Sequence, residues 1–300
     1  TAGAELWTSD GTQTGTKLVK DIAPGSISSN PYSLYPYDDK KIVFGADDGS
    51  GIALWASDGT ASGTVKLKSI QPYNQQNSYI DYNEFFTEIN GSLYFNASTI
   101  NTGAELWKTD GTKAGTMLIK NIAGLDTSSF PAYLTNVNGT LFFLANYQEL
   151  WKSDGTKSGT ALVKYIPGTS QYAFSERCVA ANKFFFNKDQ QLWVSNGTDA
   201  GTHLVNDNGL NGVSLITNLA VAGNTVFFNG YTDKYSYELY AGDAGNVITS
   251  FIADKTIYPS STFTATILQN PIRDLLKLNF FSHKTHPLQI FFTSYKVTVL

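Results

Sequence analysis

A motif that recurs along the chain constrains its fold more than any other sequence feature. The first copy reads Glu-Leu-Trp-Thr-Ser-Asp-Gly-Thr at residues 5–12 and closes with Gly-Thr at residues 15–16. Five further copies follow at intervals of about 42 to 52 residues, and the last of them, at residues 238–243, is degenerate. A period in this range is typical of the four-stranded blades of β-propellers.

The motif predicts a polar hairpin tip between two short strands. Residues 5–9 alternate in character, as strand residues do, and Asp10 can accept hydrogen bonds from amides ahead of it. We expect Gly11 and Gly15 to take positive φ angles. The aspartates and glycines that repeat at the tip are Asp10, Asp58, Asp110, Asp154, Gly11, Gly59, Gly111, Gly155 and Gly197.

All the tryptophans of the chain occupy one position of this motif. They are Trp7, Trp55, Trp107, Trp151 and Trp193. A large aromatic residue repeated in this way is most simply a packing residue between neighbouring sheets. We therefore predict that the tryptophan hairpins are equivalent parts of stacked sheets.

A second predicted hairpin lies between successive copies. Asn-Gly at residues 90–91 and 138–139 separates alternating apolar runs, which strongly favours a tight hairpin. Each unit then has four strands, and we predict an all-β chain, a β-propeller of four-stranded antiparallel blades. Five full units follow one additional tryptophan hairpin, and they span residues 30–70, 82–122, 131–166, 173–206 and 213–252.

The predicted domain organisation follows from where the repeat stops. We assign residues 1–253 to the repeat domain, residues 254–262 to a linker and residues 263–300 to a short C-terminal β tail. Residues 1–5 resemble residues 101–105 inside a repeat, so we expect the chain to begin within a blade. Five and a half blades fit an open fragment of a larger propeller, or a six-bladed ring that an upstream hairpin completes.

Composition and charge exclude several functions. The net charge is −4, which argues against nucleic acid or an anionic membrane as the main partner. No apolar run is long enough to span a membrane. Cys178 is the only cysteine, so an intrachain disulfide is impossible, and we expect it to be a small buried strand residue.

Two stretches carry resemblances to known families. The repeat Glu-Leu-Trp-x-Ser-Asp-Gly-Thr-x-x-Gly-Thr resembles that of large secreted bacterial repeat proteins, which implies a propeller fold. Asn-Pro-Ile-Arg-Asp at residues 270–274, with Leu-Lys-Leu at 276–278, resembles part of the C-terminal sorting domain of type IX secretion cargo. That resemblance implies the type IX secretion machinery as a partner and a secreted or surface-attached location.

The candidate binding residues come from the connections that differ between units. Strands in a blade alternate in direction, so the Asn-Gly turns and the Asp-Gly-Thr tips share one end and the variable connections share the other. Variable loops on a rigid scaffold are the usual place for binding, and tyrosines with carboxylates suit a glycan or a surface protein. The alternative is that these tyrosines only pack on the ends of the sheets. The candidates are Tyr73, Tyr79, Tyr147, Tyr172, Tyr231, Tyr235, Asp47, Asp48 and Asp233.

No catalytic or metal-binding grouping stands out, and we predict a non-catalytic binding or adhesion module without a cofactor. His203, His283 and His286 lack the partners of a zinc site, and Asp47-Asp48 lacks the spacing of a calcium loop. The alternative is a propeller glycoside hydrolase or lyase that uses non-repeated acids, of which the candidates are Glu84, Glu88 and Glu176. A purely structural surface protein is the third hypothesis.

Overall fold

The computed structural model describes residues 2–72, 86–99, 101–124, 127–168, 174, 176–205, 213–233 and 236–245, together with the backbone of four strands between residues 264 and 299. All regular structure in these residues is β-strand, which confirms the all-β prediction. The chain divides into two compact units, Thr1–Ile166 and Pro167–Leu300.

Unit 1 contains four antiparallel sheets in chain order. Sheet I consists of β1 (Leu6–Thr8) and β2 (Lys17–Lys20). Sheet II consists of β3 (Tyr32–Tyr37), β4 (Lys41–Asp47), β5 (Ile52–Ser57) and β6 (Val65–Lys68). Sheet III consists of β7 (Gln71–Pro72), β8 (Thr87–Ile89), β9 (Ser92–Thr99), β10 (Gly103–Thr109) and β11 (Met117–Lys120). Sheet IV consists of β12 (Ala132–Val137), β13 (Thr140–Ala145), β14 (Glu149–Ser153) and β15 (Ala161–Tyr165).

Unit 2 contains three antiparallel sheets. Sheet V consists of β16 (Arg177–Ala180), β17 (Lys183–Lys188), β18 (Gln191–Ser195) and β19 (Thr202–Leu204). Sheet VI consists of β20 (Ser214–Ala222), β21 (Thr225–Thr232) and β22 (Ser236–Asp243), and the rest of its predicted unit, residues 246–252, lies outside the described residues. Sheet VII consists of β23 (Thr264–Ile267), β24 (Lys277–Phe281), β25 (Leu288–Thr293) and β26 (Lys296–Val299).

The strand order within each sheet gives it two distinct ends. Consecutive strands of sheets II, IV and V are antiparallel neighbours, so their connections alternate between the two ends. The tip end of a sheet carries the Asp-Gly-Thr tip and the turn between the first two strands. The link end carries the connection between the second and third strands and the link to the next sheet. This is the arrangement that the strand pattern predicts.

Two predicted Asn-Gly turns adopt the conformation of tight hairpins. Asn90 and Gly91 have φ angles of 50° and 71°, and Asn138 and Gly139 have φ angles of 50° and 85°. Left-handed backbone at both central residues matches the right-handed twist of the flanking strands. Asparagine followed by glycine is the pair that adopts this conformation at the lowest cost.

Neighbouring sheets of unit 1 pack face to face, and the tryptophans lie in the contacts. Trp55 is 5% exposed and packs with Leu6 and Ile22 of the preceding sheet. Trp107 is 4% exposed and packs with Leu54 and Leu67. The third contact, between sheets III and IV, includes Tyr94, Leu106, Ile119, Leu141, Phe143 and Trp151.

Two tryptophans differ from this pattern. Trp7 is 55% exposed, because it belongs to sheet I and faces away from sheet II. Trp193 in unit 2 is half-buried and stacks on Phe186 of its own sheet, with ring centroids 6.3 Å apart. The core of unit 2 lies between sheets V and VI, where Phe185, Leu192, Ile216, Phe228 and Tyr240 are buried together.

The first strand of several sheets is interrupted near its middle. The register shifts between Tyr32 and Tyr35 in sheet II and between Ala132 and Thr135 in sheet IV. Ser33 and Tyr133 lie inside these shifts with φ angles of 50° and 57°. A β-bulge of this kind bends the strand and redirects its side chains.

Candidate functional site

The tip of sheet II shows why the repeated aspartate is present. Asp58 Oδ1 accepts hydrogen bonds from the amide and the hydroxyl of Thr60, at 2.9 and 2.7 Å. Thr60 Oγ1 in turn accepts a hydrogen bond from the Gly63 amide at 2.9 Å, and the Thr64 hydroxyl donates to the Thr60 carbonyl at 2.7 Å. The hydroxyl bond from Thr60 lowers the pKa of Asp58. The same acceptor role is taken at the other tips by Asp10, Asp110, Asp154 and Asn196.

The two glycines of each tip have different roles. Gly11 has a φ of 88° and Gly59 a φ of 84°, so these positions need the freedom that the absence of a Cβ gives. The expectation of a positive φ at Gly15 is wrong. A Cβ at Gly15 would overlap the carboxylate of Asp10, so this glycine is required by close packing.

A repeated lysine on the last strand of one sheet reaches the tip of the next sheet. Lys120 of β11 donates a hydrogen bond of 2.6 Å to the carbonyl of Thr160 in the tip of sheet IV. The same ammonium group lies 5.4 Å from the ring centroid of Trp151. The repeated motif therefore makes hydrogen bonds within its tip and contacts with the adjacent sheet, which are scaffold roles.

A buried glutamate, which the sequence reasoning did not single out, holds the link that follows it. Glu105 is fully buried, and its carboxylate accepts hydrogen bonds from the amides of Ile122 and Ala123 at 3.0 and 3.1 Å. The Ser129 hydroxyl donates to the same carboxylate at 2.6 Å. Glu5 makes the equivalent bonds to Ile22 and Ser29.

At the link end of sheet II, the two predicted aspartates are engaged by their own turn. Asp47 Oδ1 accepts hydrogen bonds from the amides of Gly49 and Gly51, at 2.8 and 3.0 Å. Asp48 accepts from the amide and hydroxyl of Ser50 and forms an ion pair with Lys66 at 3.0 Å. The Ser50 hydroxyl bond, with Lys66, lowers the pKa of Asp48 to about 2. Both carboxylates thus shape this turn.

The link end of sheet IV presents exposed aromatic side chains. Tyr147 is 47% exposed and lies in the three-residue loop between β13 and β14, with a φ of 65°. Its ring contacts that of Phe130 at a centroid distance of 5.7 Å. Tyr165, at the end of β15, is 56% exposed, and its hydroxyl donates a hydrogen bond of 2.5 Å to Gln148 Oε1. The structure therefore places one predicted tyrosine beside a second that the sequence reasoning missed.

The link end of sheet VI carries a second pair of tyrosines. Tyr231 of β21 and Tyr237 of β22 face each other across the strand pair, with ring centroids 5.3 Å apart. Tyr237, which was not predicted, is 51% exposed, and Asp233 lies exposed in the turn between these strands. Four predicted residues lie outside the described residues: Tyr73, Tyr79, Tyr172 and Tyr235.

The acids proposed for catalysis fall in different parts of the chain. Glu88 is exposed on β8 of unit 1, and Glu176 of unit 2 accepts a hydrogen bond from the Leu219 amide at 3.1 Å. Glu84 lies outside the described residues. In the described part of the chain, no group of three or more His, Cys, Asp and Glu side chains is arranged to hold a metal ion.

The remaining reactive side chains are placed as follows. Cys178 of β16 is partly buried, and desolvation raises the pKa of its thiol to about 12. His203 is exposed on β19, while His283 and His286 lie outside the described residues. Nothing in the described residues forms a helix long and apolar enough to cross a membrane.

Comparisons with known proteins give distant structural similarity alone. No protein-family model matches this sequence, and no curated protein is significantly similar to it. The computationally designed Ika8 protein has a TM-score of 0.45 and 14% identity, covering 99% of this chain and 87% of its own. BamB from Moraxella catarrhalis has a TM-score of 0.40 and 10% identity, covering 88% and 70%. The GH74 enzyme from Niastella koreensis has a TM-score of 0.40 and 10% identity, covering 84% of this chain and 42% of its own.

Proposed function

We propose that this chain is a non-catalytic binding or adhesion module, secreted or attached to the cell surface, whose sheets are blades of a β-propeller. Its ligand, a glycan or a surface protein, is bound at the link ends of the sheets. The face-to-face packing of consecutive sheets in unit 1 supports the propeller, since stacked four-stranded sheets of this kind are its repeating unit.

The observation that carries the binding proposal is the contrast between the two ends of each sheet. At the tip ends of the first five copies, the polar groups of the motif bond to one another in the same way. At the link ends the connections differ, and exposed tyrosines such as Tyr147 and Tyr237 lie there. Exposed aromatic side chains on variable loops of a rigid scaffold are suited to recognition.

The resemblance of residues 270–278 to type IX sorting domains supports export. Those residues belong to the part of the chain that contains sheet VII, a four-stranded antiparallel sheet separate from the repeats. In this proposal the tail is the segment that the type IX secretion machinery recognises. Fusion of residues 254–300 to a reporter protein, followed by fractionation of a type IX-competent bacterium, tests this part by itself.

Binding and catalysis are separated by one experiment on the full chain. The chain is applied to an array of neutral and acidic glycans and of surface proteins, and the same glycans are assayed for released reducing ends. The proposal predicts retention without release. Release that is lost on substitution of Glu88 or Glu176 would favour the glycoside hydrolase alternative, and the absence of any retention would favour the purely structural one.

A further inference from the structure

We propose that the link end of sheet IV is a subsite for a neutral oligosaccharide, in which a pyranose ring stacks on Tyr147 and the adjoining ring packs against Tyr165. This inference rests on the proposed binding function and assigns its ligand class and place. The subsite consists of Phe130, Tyr147, Gln148 and Tyr165, which three connections of the same sheet bring together.

Sheet IV departs from the repeat at its link end. The residue after the last strand lysine is Asp21 in the first copy, Ser69 in the second and Asn121 in the third. The fourth copy has Tyr165 there, with more than half of its surface exposed. The other three copies show that a sheet can form with a small polar residue at this position. Packing within the sheet therefore does not explain the exposed aromatic ring of Tyr165.

Both tyrosine rings are held in place although they are exposed. The Tyr165 hydroxyl is fixed by its 2.5 Å hydrogen bond to Gln148. Tyr147 packs against Phe130, and its backbone is in the left-handed region, which is strained for a bulky residue. Rings held in one orientation before binding lose little conformational entropy when a ligand stacks on them.

The glutamate of the fourth copy has a different environment from that of the third copy. Glu105 in the third copy is fully buried and binds the following link, whereas Glu149 is half-buried and accepts hydrogen bonds from Asn146 and the Trp151 indole, at 2.8 and 2.9 Å. The repeated glutamate here supports the loop that carries Tyr147.

The size and chemistry of the surface select a sugar over a protein partner. A stable protein interface buries about 800 Å² on each partner, which two half-exposed tyrosine rings do not approach. One face of a pyranose ring presents C–H groups that suit an aromatic face, and its hydroxyls suit amide and phenol groups such as those of Gln148 and Tyr165. The Glu149 carboxylate supports this loop, and a carboxylate beside the subsite disfavours an acidic sugar.

The test is native affinity electrophoresis of the full chain in gels that contain hydroxyethyl cellulose, galactomannan, glycogen or a soluble β-1,3-glucan. The wild type is expected to be retarded in at least one gel. Tyr147→Ala and Tyr165→Ala are each expected to weaken that retardation at least tenfold. Tyr165→Phe keeps the ring but loses the hydroxyl and its bond to Gln148, so it is expected to weaken the retardation less than Tyr165→Ala does. Leu162→Ala is the matched control, because Leu162 is 48% exposed on the same strand at its opposite end.

Thermal unfolding midpoints equal to that of the wild type establish that the two alanine variants are folded. Retardation that persists unchanged in both alanine variants overturns the subsite but leaves binding at another link end standing. A wild type that none of the four polysaccharides retards also overturns it, since a neutral glycan would then not be the ligand. Release of reducing ends from the retarding polysaccharide contradicts the non-catalytic function and leaves the place of binding intact.

Discussion

The ammonium group of Lys20 donates a hydrogen bond of 2.7 Å to the carbonyl of Thr64, the closing residue of the next sheet's tip. The same group lies 6.0 Å from the Trp55 ring centroid, and Lys120 repeats both contacts two sheets later. The lysine that ends the last strand of one sheet therefore contacts both the tip and the tryptophan ring of the next tryptophan hairpin. This contact explains why the repeat includes a lysine after the Asp-Gly-Thr turn.

We expect Lys120→Met to lower the free energy of unfolding by about 1 kcal/mol, the usual value for loss of a charged hydrogen bond with a ring contact. Lys68 occupies the same repeat position in sheet II but is exposed, so Lys68→Met is the matched control and should change stability by less than about 0.5 kcal/mol. Urea unfolding of both variants measures the difference. Equal changes in the free energy of unfolding of the two variants would show that the Lys120 contact adds no stability.

The tip aspartate acts as a hydrogen-bond acceptor, and Asn196 provides the natural comparison. Its side-chain oxygen accepts from the Thr198 amide and hydroxyl at 3.0 and 2.7 Å, as an aspartate does. Asp110→Asn should therefore be nearly neutral, whereas Asp110→Ala should cost about 1–2 kcal/mol, because two hydrogen bonds are lost. Urea denaturation of the two variants decides the matter, and a large loss for Asp110→Asn would mean that the charge itself is required.

The buried glutamate gives a third prediction. Glu105→Ala removes the acceptor for two amides and the Ser129 hydroxyl in a fully buried place, and we expect a loss of about 3 kcal/mol. Glu149→Ala, at the half-buried copy, should cost about 1 kcal/mol. Hydrogen exchange at the amides of Ile122 and Ala123 should accelerate in the first variant only. Unchanged protection there would contradict the anchoring role.

The depressed pKa of Asp48 predicts a specific response to acid. Its carboxylate titrates near pH 2 in the folded chain and near 3.9 when unfolded, so its contribution is complete above about pH 4 and is lost as the pH falls towards 2. Asp48→Asn has no carboxylate, so it lacks this pH-dependent stabilisation. The stability gap between wild type and variant, about 1 kcal/mol at pH 6 for a partly exposed ion pair, should close by pH 2. A gap that is the same at both pH values would contradict the ion pair with Lys66.

The repeat predicted much of the framework because interactions between residues close in sequence determine its strands and turns. The strand order, the tight Asn-Gly hairpins and the Asp-centred tip all depend on neighbours within about ten residues, which the sequence displays directly. The left-handed backbone at Ser33 and Tyr133 was not predicted, because neither residue is a glycine and a positive φ is uncommon for other residues.

The candidate site was predicted less completely, for a related reason. Tyr147 was found because it stands in a connection that differs between units. Tyr165 was missed because it ends a strand of the repeat itself, and only comparison with Asp21, Ser69 and Asn121 shows it to be unusual. Asp47 and Asp48 were chosen for their charge, but hydrogen bonds within their own turn engage both carboxylates.

The central claim is that the tryptophan hairpins of unit 1 are equivalent pieces, and that Trp55 and Trp107 fill the contacts between consecutive sheets. Its most direct test is the free energy of unfolding of Trp107→Ala compared with Trp7→Ala, measured by urea denaturation. Trp107 is buried between sheets II and III, so its loss should cost about 3–5 kcal/mol. Trp7 is 55% exposed on sheet I, so its loss should change stability by less than about 1 kcal/mol. Equal losses, or a small loss at Trp107, would contradict the stacked arrangement of sheets.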